Sequence, residues 1–184
     1  MDRRQRKTRD AIFAAFTRLL KEEPYAKLTV QEIIDEADIG RTTFYAHFET
    51  KDDLLNSLCT EIFDHVFSDS LRKEKTHDFS DHHDVRGMVT HILYHLQEYM
   101  DCLPGLVAGE SGEVFMRFFK QHLRELFSST VPSAAYQAPY GYVLNHLVCD
   151  FAETVRWWTG NRQYLPEDIS AFFFETTMAL GSLP

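Results

Sequence analysis

The segment after Gly40 carries side chains that suit hydrogen bonding to nucleic acid. Phe44 and Phe48 are spaced i, i+4, so they share one face of a helix over 41–48 and are expected to pack inward. The opposite face is polar, and its Arg, Thr, Tyr and His side chains can bind phosphate oxygens, base edges or a thymine methyl group. The residues on this polar face are Arg41, Thr42, Tyr45 and His47. An ordinary solvated surface helix is the alternative.

A second group of residues has the spacing of a ligand pocket. His91 and His95 are i, i+4, a spacing that also suits two ligands of one metal ion, and His122 lies on another predicted helix. Phe115, Phe119 and His122 share a helical face that is expected to oppose the two upstream histidines. No spacing indicates a third metal ligand, so we predict a pocket for a small organic molecule and no metal. Plain core packing is the alternative.

Nearly the whole chain has the apolar periodicity of α-helices, which predicts an all-α fold. Thr29 with Glu32, and Thr50 with Asp53, have the spacing of capping boxes that open two of the helices. Residues 73–84 break the periodicity and are predicted to be a loop. The predicted helices span 4–22, 30–37, 41–48, 50–72, 85–102, 112–129, 140–159 and 167–180.

The second and third predicted helices are joined by a tight turn at residues 38–40. Asp38 tolerates a left-handed backbone and Gly40 adopts one freely. Two short helices joined by such a turn and packed on a preceding helix form a helix-turn-helix, whose second helix enters the major groove of DNA. The sequence therefore predicts a three-helix DNA-binding domain at the N-terminus.

The run TVQEIIDEADIGRTTFYAHF at 29–48, followed by KDDLL at 51–55, resembles the signature of the tetracycline repressor (TetR) family. The resemblance spans about residues 8–58. It implies phosphate contacts from Thr29 and Lys51, and DNA contacts from the turn and the recognition helix. These latter contacts fall on Gly40, Arg41, Thr42, Thr43, Tyr45 and His47.

Two residues depart from the family pattern. The usual turn glycine is replaced by Asp38, whose side chain is compatible with the turn. The common serine after the turn is replaced by Gly40. Because glycine has no side chain, any contact of Gly40 with DNA must come from its backbone N–H near a helix N-terminus.

The resemblance also divides the chain into a DNA-binding domain, residues 1–49, and a helical bundle for ligand binding and dimerisation, residues 50–184. The last helix is apolar around more of its circumference than the outermost helix of a monomer requires. We therefore expect the last two helices to form the dimer interface. The expected interface residues are Phe151, Val155, Trp158, Phe172 and Phe173. Burial inside one chain is the alternative.

Charge is distributed unevenly along the chain. The net charge is −9, but residues 1–58 carry only −1 of it, and five Arg and Lys residues lie within residues 3–9. This asymmetry favours a nucleic-acid contact at the N-terminal end. The three cysteines have no paired spacing, and we find no signal peptide or membrane-length apolar run, which predicts a cytoplasmic protein.

These features predict a sequence-specific DNA-binding regulator that performs no catalysis and needs no cofactor. The mechanism implied by the resemblance is that of a homodimeric repressor. A small-molecule effector favours the state of the dimer that cannot bind the double-stranded operator. One alternative is a regulator whose C-terminal domain responds to a protein partner. A remoter alternative is an α-helical enzyme or metal protein.

Overall fold

The computed structural model describes residues 3–67, 84–107 and 112–179. These residues form nine α-helices and no strand, which confirms the predicted all-α class. The predicted helix residues 68–72 and Leu180, and most of the predicted 73–84 loop with its His77, His82 and His83, lie outside the described residues. The helices are α1 Arg3–Glu22, α2 Val30–Glu36, α3 Arg41–Tyr45, α4 Lys51–Phe67, α5 Val85–Glu98, α6 Leu103–Val107, α7 Gly112–Thr130, α8 Tyr140–Thr159 and α9 Pro166–Ala179.

Helices α1–α3 form a three-helix unit around a small aromatic core. α1 packs on α2, and α2 contacts α3. Phe16, Ile33 and Phe44 are fully buried in this core. The rings of Phe13 and Phe48 meet edge to face with their centroids 5.7 Å apart. Burial of these large apolar side chains stabilises the unit and fixes the orientation of α3.

Local side-chain contacts begin α2 and α4 where the sequence predicts. The Thr29 N–H donates to the Glu32 carboxylate at 2.7 Å, and the Glu32 N–H donates to the Thr29 hydroxyl at 3.2 Å. The corresponding reciprocal bonds between Thr50 and Asp53 are both 3.0 Å long. Both predicted capping boxes are therefore confirmed.

The turn between α2 and α3 differs in one respect from the prediction. Asp38 has a left-handed backbone with φ of 50°, as its residue type allows. Gly40, in contrast, has an extended backbone with φ of −77° and ψ of 150° and is the N-cap of α3. The turn therefore uses the conformational freedom of Asp38 and does not require that of Gly40.

Helices α4–α9 form the C-terminal bundle. α7 packs on α8, α5 packs on α9, and α4 contacts both α5 and α7. At the centre, the Phe151 ring lies 6.4 Å from that of Phe127 and 5.1 Å from that of Phe173. Aromatic side chains from three helices thus hold the bundle together.

Two helices end earlier than predicted. α3 ends at Tyr45, although the Phe48 N–H still donates to the Phe44 carbonyl at 2.9 Å. α5 ends at Glu98, and a separate short helix, α6, follows at Leu103–Val107. Pro104 therefore lies in the first turn of α6, a position where its missing N–H leaves no bond unmade.

Candidate nucleic-acid interface

α3 presents polar side chains to solvent along one face. Arg41 and Thr42 are exposed, and Tyr45 is 48% exposed, whereas Phe44 beside it is 0% exposed. Thr43 and His47 are half-buried at the flanks of this face. The structure therefore brings Arg41, Thr42 and Tyr45 together on one exposed surface. Arg, Thr and Tyr side chains can donate hydrogen bonds to phosphate oxygens and to base edges.

Gly40 leaves the start of α3 open. It is exposed, and no side chain caps the first turn of the helix. A Cβ atom built on Gly40 would lie 3.7 Å from the Thr43 hydroxyl, an ordinary contact. Glycine is therefore not required by space or by backbone conformation at this position.

A hydrogen-bond chain on the surface links α2 to α3. The Arg41 guanidinium donates to the Gln31 side-chain oxygen at 3.0 Å, and the Gln31 amide donates to the Asp35 carboxylate at 2.7 Å. Gln31 is exposed and was not among the predicted site residues. The contact of Gln31 with Arg41 joins residues ten positions apart, so no local pattern in the sequence indicates it.

The Thr29 side chain is already engaged within its own helix. Its hydroxyl lies 2.7 Å from the Glu32 carboxylate and also accepts the Glu32 N–H. These hydrogen bonds from Thr29 lower the pKa of Glu32, which keeps that exposed carboxylate ionised. The predicted phosphate contact of Thr29 would therefore lie beside a negative charge.

Lys51 lies at the start of α4, and its ammonium group is directed at the backbone of the segment before α2. Nζ donates to the carbonyl oxygens of Tyr25 at 2.7 Å and Leu28 at 2.6 Å, and it lies 4.2 Å from the centroid of the Tyr25 ring. Desolvation by burial lowers the pKa of Lys51. An ammonium has three donors, so one N–H of Lys51 remains beyond these two carbonyls for the predicted phosphate contact.

The first turns of α1 are cationic and exposed. Arg9, one turn further on, is held at the body of the protein by an ion pair with Glu61 at 3.1 Å and lies 5.2 Å from the centroid of the Phe13 ring. The N-terminal end of α1 thus emerges next to the core that supports α3. The exposed cations in these turns are Arg3, Arg4, Arg6 and Lys7.

In the described contacts, the residues of the predicted ligand pocket fall into two groups. The Nε2 atoms of His91 and His95 are 2.9 Å apart, and these side chains are only 1% and 4% exposed. Phe115 and Phe119 stack on one another with centroids 5.5 Å apart, and Phe119 also contacts Phe63 of α4 at 5.6 Å. The histidine pair belongs to α5 and the phenylalanines belong to α7, and both groups are packed among neighbouring side chains.

His122 completes the second of these groups. Its ring stacks on Phe63 with a centroid distance of 5.1 Å, and its Nε2 lies 3.4 Å from the Thr60 hydroxyl. Burial lowers the pKa of His122, which favours the neutral imidazole. Within residues 3–67, 84–107 and 112–179, no three His, Cys, Asp or Glu side chains converge on a point where a metal ion could bind.

The structure buries most of the predicted dimer-interface residues within one chain. Phe151, Val155, Trp158 and Phe173 are at most 1% exposed, because they form the contact of α8 and α9 with the rest of the same chain. Phe172 is the member of the predicted set that remains exposed. The aromatic density of the last two helices therefore reflects mainly the core of the monomer.

A different stripe of α8 and α9 faces solvent, and we call this stripe the outer face of α8 and α9. It includes an open depression of about 480 Å³ whose lining combines aromatic, hydroxyl and carboxylate side chains. Trp157 stacks on Tyr164 with centroids 5.6 Å apart, and Tyr164 meets Phe172 edge to face at 5.2 Å. The lining residues are Asp150, Glu153, Thr154, Trp157, Phe172, Phe173 and Thr176.

No helix in the described parts of the chain is long and apolar enough to cross a bilayer.

Comparison with curated proteins identifies two similar regulators. Over 71 residues the chain is 39% identical to an HTH-type transcriptional regulator of Bacillus subtilis, YxbF, and over 112 residues it is 33% identical to one of Haemophilus influenzae. These alignments include 36% and 59% of this chain, and they span 19% and 58% of the two regulators.

Solved structures match over nearly the whole chain. A TetR transcriptional regulator from Streptococcus agalactiae is 30% identical, with a TM-score of 0.65 over 95% of this chain and 96% of its own. Two others share the fold at 18% identity: the dihydroxyacetone kinase operon activator DhaS, with a TM-score of 0.65 over 94% of this chain and 95% of its own, and a TetR-family regulator from Syntrophomonas wolfei, with a TM-score of 0.66 over 97% of each chain.

The helix-turn-helix region gives an independent match. Residues 12–58 match the family model described as bacterial regulatory proteins, tetR family. These residues include the exposed face of α3, its supporting core and the start of α4. The chain therefore belongs to the TetR family of transcriptional regulators.

Proposed function

We propose that this regulator is a homodimeric repressor that binds a double-stranded DNA operator through α3 and acts in the cytoplasm without catalysing a reaction. The observation that carries the proposal is the division of α3 into two faces. Arg41, Thr42 and Tyr45 are exposed, whereas Phe44 is buried in the core of the three-helix unit. A recognition helix needs this arrangement, because the groove-facing side chains must be accessible to DNA while the helix stays rigidly held.

Selection of bound duplexes from a random library tests the DNA-binding part of this proposal. We expect one enriched sequence with two related half-sites about 10 base pairs apart or a multiple of that spacing. Tyr45→Ala should abolish the enrichment. Tyr136→Ala is the matched control, since this tyrosine is 44% exposed but lies between α7 and α8. Recovery of unrelated sequences by both proteins would contradict sequence-specific binding.

Dimerisation is proposed to occur through the outer face of α8 and α9. Trp157 is 48% exposed and Phe172 is 39% exposed, and both line the same depression. Large exposed aromatic side chains grouped in one patch are typical of protein contacts. A two-fold axis through this face would place the two α3 helices of a dimer at a fixed spacing, as an operator with two half-sites requires.

The effector proposed for the C-terminal bundle is a small, largely apolar and planar molecule that enters between α4, α5 and α7. The aromatic and histidine side chains of these helices support this chemistry, since such groups stack on planar ligands and donate hydrogen bonds to them. Because the rings of Phe115 and Phe119 pack on one another, binding would require them to separate. Such a molecule would favour the dimer state that binds operator less tightly.

Response to a protein partner is the second candidate for the C-terminal bundle. The observation in its favour is the close packing of the predicted pocket residues, with His91 and His95 in mutual contact at 2.9 Å and Phe115 and Phe119 almost fully buried. A bundle that is already filled at these positions can respond to contacts at its outer surface without admitting a ligand.

A thermal-shift screen of planar and apolar compounds distinguishes the two candidates. A compound that raises the melting temperature should also release wild-type protein from its operator, and it should lose both effects in Phe119→Ala. Stabilising compounds that leave the DNA complex intact would favour the protein partner.

A reporter gene downstream of the operator tests the sign of regulation: deletion of a repressor raises expression. Loss of expression would indicate an activator, which is how DhaS, of the same fold, is named.

A further inference from the structure

Tyr25 connects the three-helix unit to the C-terminal bundle. It lies in the segment between α1 and α2, where its ring is buried against Phe16 with centroids 6.1 Å apart. Its backbone N–H donates to the carbonyl oxygen of Gly105 in α6 at 3.1 Å. Its hydroxyl donates to the carboxylate of Asp52 in α4. Backbone and side chain of one residue thus bind two helices outside the unit that carries α3.

The same residue is linked to the start of α2 through Lys51. The Lys51 ammonium donates to the carbonyl oxygens of Tyr25 and Leu28 and lies over the Tyr25 ring. Leu28 immediately precedes Thr29, the N-cap of α2. One ammonium group therefore holds the segment between α1 and α2 at both ends and ties Tyr25 to the start of α2.

Gly105 sets how closely the bundle approaches the three-helix unit. A Cβ atom at this position would lie 2.4 Å from the Leu20 carbonyl oxygen near the end of α1, so α6 can occupy its position only with glycine there. Two exposed ion pairs accompany the contact. Lys21 of α1 lies 3.5 Å from Asp101, and Arg117 of α7 lies 3.8 Å from Asp52, the partner of the Tyr25 hydroxyl.

We propose that Tyr25 and Gly105 are positioning residues that fix the orientation of the DNA-binding surface relative to the C-terminal bundle. A displacement of α6 moves the Tyr25 N–H, and through Lys51 it moves the start of α2, which contacts α3. This inference rests on the proposed function, since it concerns the geometry in which α3 is presented to DNA. It assigns the coupling to one backbone hydrogen bond, one tyrosine hydroxyl and one close glycine contact.

A matched pair of glycine substitutions tests the close contact. Gly105→Ala places a methyl group against the Leu20 carbonyl and should push α6 away from α1, whereas a Cβ at Gly141 in α8 meets nothing within 4 Å. At a temperature well below unfolding, we expect Gly105→Ala to weaken operator binding by about fivefold or more. Gly141→Ala should stay within about twofold of wild type, since it adds a helix-favouring residue at an open site.

A matched pair of tyrosine substitutions tests the hydroxyl. Tyr25→Phe keeps the buried ring and the N–H bond to Gly105 but removes the bond to Asp52. Tyr94→Phe removes a similar tyrosine–carboxylate bond, that of Tyr94 with Glu167, between α5 and α9. We expect Tyr25→Phe to weaken operator binding in the same direction as Gly105→Ala, and Tyr94→Phe to leave it unchanged. If Gly105→Ala does not fold by circular dichroism, Tyr25→Phe decides the test.

The outcomes separate this inference from the proposed function. If Tyr25→Phe and Gly105→Ala both bind the operator within about twofold of the wild-type affinity, the inference alone is overturned. This holds even if both variants melt at a lower temperature. A loss in Gly105→Ala without a loss in Tyr25→Phe would overturn the role given to the hydroxyl and leave that of the glycine contact. Failure of the wild-type protein to select any duplex would overturn the proposed function, and the inference with it.

Discussion

Phe44 and Tyr45 are adjacent in α3, and their rings meet edge to face with centroids 5.5 Å apart, yet one is buried and the other faces solvent. Successive residues of a helix differ by about 100° in direction. A single substitution can therefore address either the core that holds α3 or the surface that α3 presents.

Substitution of each aromatic residue separates binding from stability. We expect Tyr45→Ala to lose operator binding while its free energy of unfolding stays within about 0.5 kcal/mol of wild type, as for most surface changes. Phe44→Ala should destabilise by about 3–5 kcal/mol, because it leaves a cavity between α1, α2 and α3. Chemical denaturation followed by circular dichroism measures the free energy of unfolding of both variants. Equal losses of stability in the two variants would contradict the assignment of faces.

The cationic end of α1 should contribute a salt-dependent part of the affinity. Each phosphate neutralised in duplex DNA adds about 0.9 to the slope of log affinity against log salt. Replacing the exposed Arg3, Arg4, Arg6 and Lys7 by Ala should therefore flatten the slope by up to about 3.6. The control replaces Arg124 and Arg162, exposed cations of the C-terminal bundle, and should leave the slope unchanged. An unaltered slope in the first variant would show that these side chains do not contact DNA.

Lys51 offers a direct comparison between a structural and a DNA-contacting lysine. Because its ammonium donates to the carbonyls of Tyr25 and Leu28, Lys51→Met should lower the free energy of unfolding by about 1–3 kcal/mol. A lysine that contacts only phosphate would instead reduce the salt slope by about 0.9 without altering stability. Thermal unfolding and salt titration of Lys51→Met distinguish a structural role of this lysine from a contact with phosphate only. Lys27→Met, at an exposed position in the segment between α1 and α2, is the control for stability.

The three cysteines should differ sharply in reactivity. Burial raises the pKa of Cys59 to about 12 and that of Cys102 to about 11, whereas Cys149 is partly exposed. Since the thiolate is the reactive form, a thiol reagent at neutral pH should label one cysteine in the folded protein and three after denaturation. Cys149→Ser should abolish the native labelling. Rapid labelling of Cys59 without denaturant would contradict its burial.

The raised pKa of Cys59 also predicts a loss of stability in alkaline solution. An unfolded thiol ionises at a pH of about 8.5, whereas the Cys59 thiol stays protonated in the folded chain until a pH of about 12. Folding therefore becomes less favourable as the pH rises through this interval. Cys59→Ala should remove that part of the pH dependence.

Interactions between neighbouring residues were the part of the fold that the sequence predicted well. The capping boxes at Thr29 and Thr50 and the left-handed Asp38 depend on contacts within four residues, and all three are present. The helix α6 was missed because five residues are too few to show a periodicity.

Contacts between distant helices could not be predicted in the same way. Trp157 and Trp158 are neighbours of equal hydrophobicity, yet one is 48% and the other 1% exposed. Which of them lies in the core depends on how α8 packs against the other helices of the bundle. The predicted pocket likewise depends on how α5 and α7 are placed. In the described contacts, His91 meets His95 within α5 and Phe119 of α7 meets Phe63 of α4. Tyr25 and Gly105 are 80 residues apart in the chain, and nothing in their local patterns links them.

The outer face of α8 and α9 predicts a specific effect of Phe172 on self-association. Phe172→Glu places a charge beside Trp157 and Tyr164 in the proposed interface, and should shift the protein from dimer to monomer at micromolar concentration. Burial of a new unpaired charge is costly, whereas the same charge on a free surface is not. Tyr136→Glu is the control, because it alters an equally large exposed ring outside these helices. Sedimentation velocity measures the proportions of dimer and monomer for both variants.

Salt should affect self-association and operator binding in opposite directions. Asp150 and Glu153 both line the depression on the outer face, so a two-fold interface through this face would gather the carboxylates of both copies in one patch. Screening of this repulsion should strengthen the dimer as the salt concentration rises, since the Debye length falls from about 10 Å at 0.1 M to about 3 Å at 1 M. Operator binding should weaken over the same range because counterions compete for phosphate. Asp150→Asn should remove part of the salt dependence of dimerisation. A dimer that survives Phe172→Glu, or that dissociates as salt rises, would place the interface elsewhere on the chain.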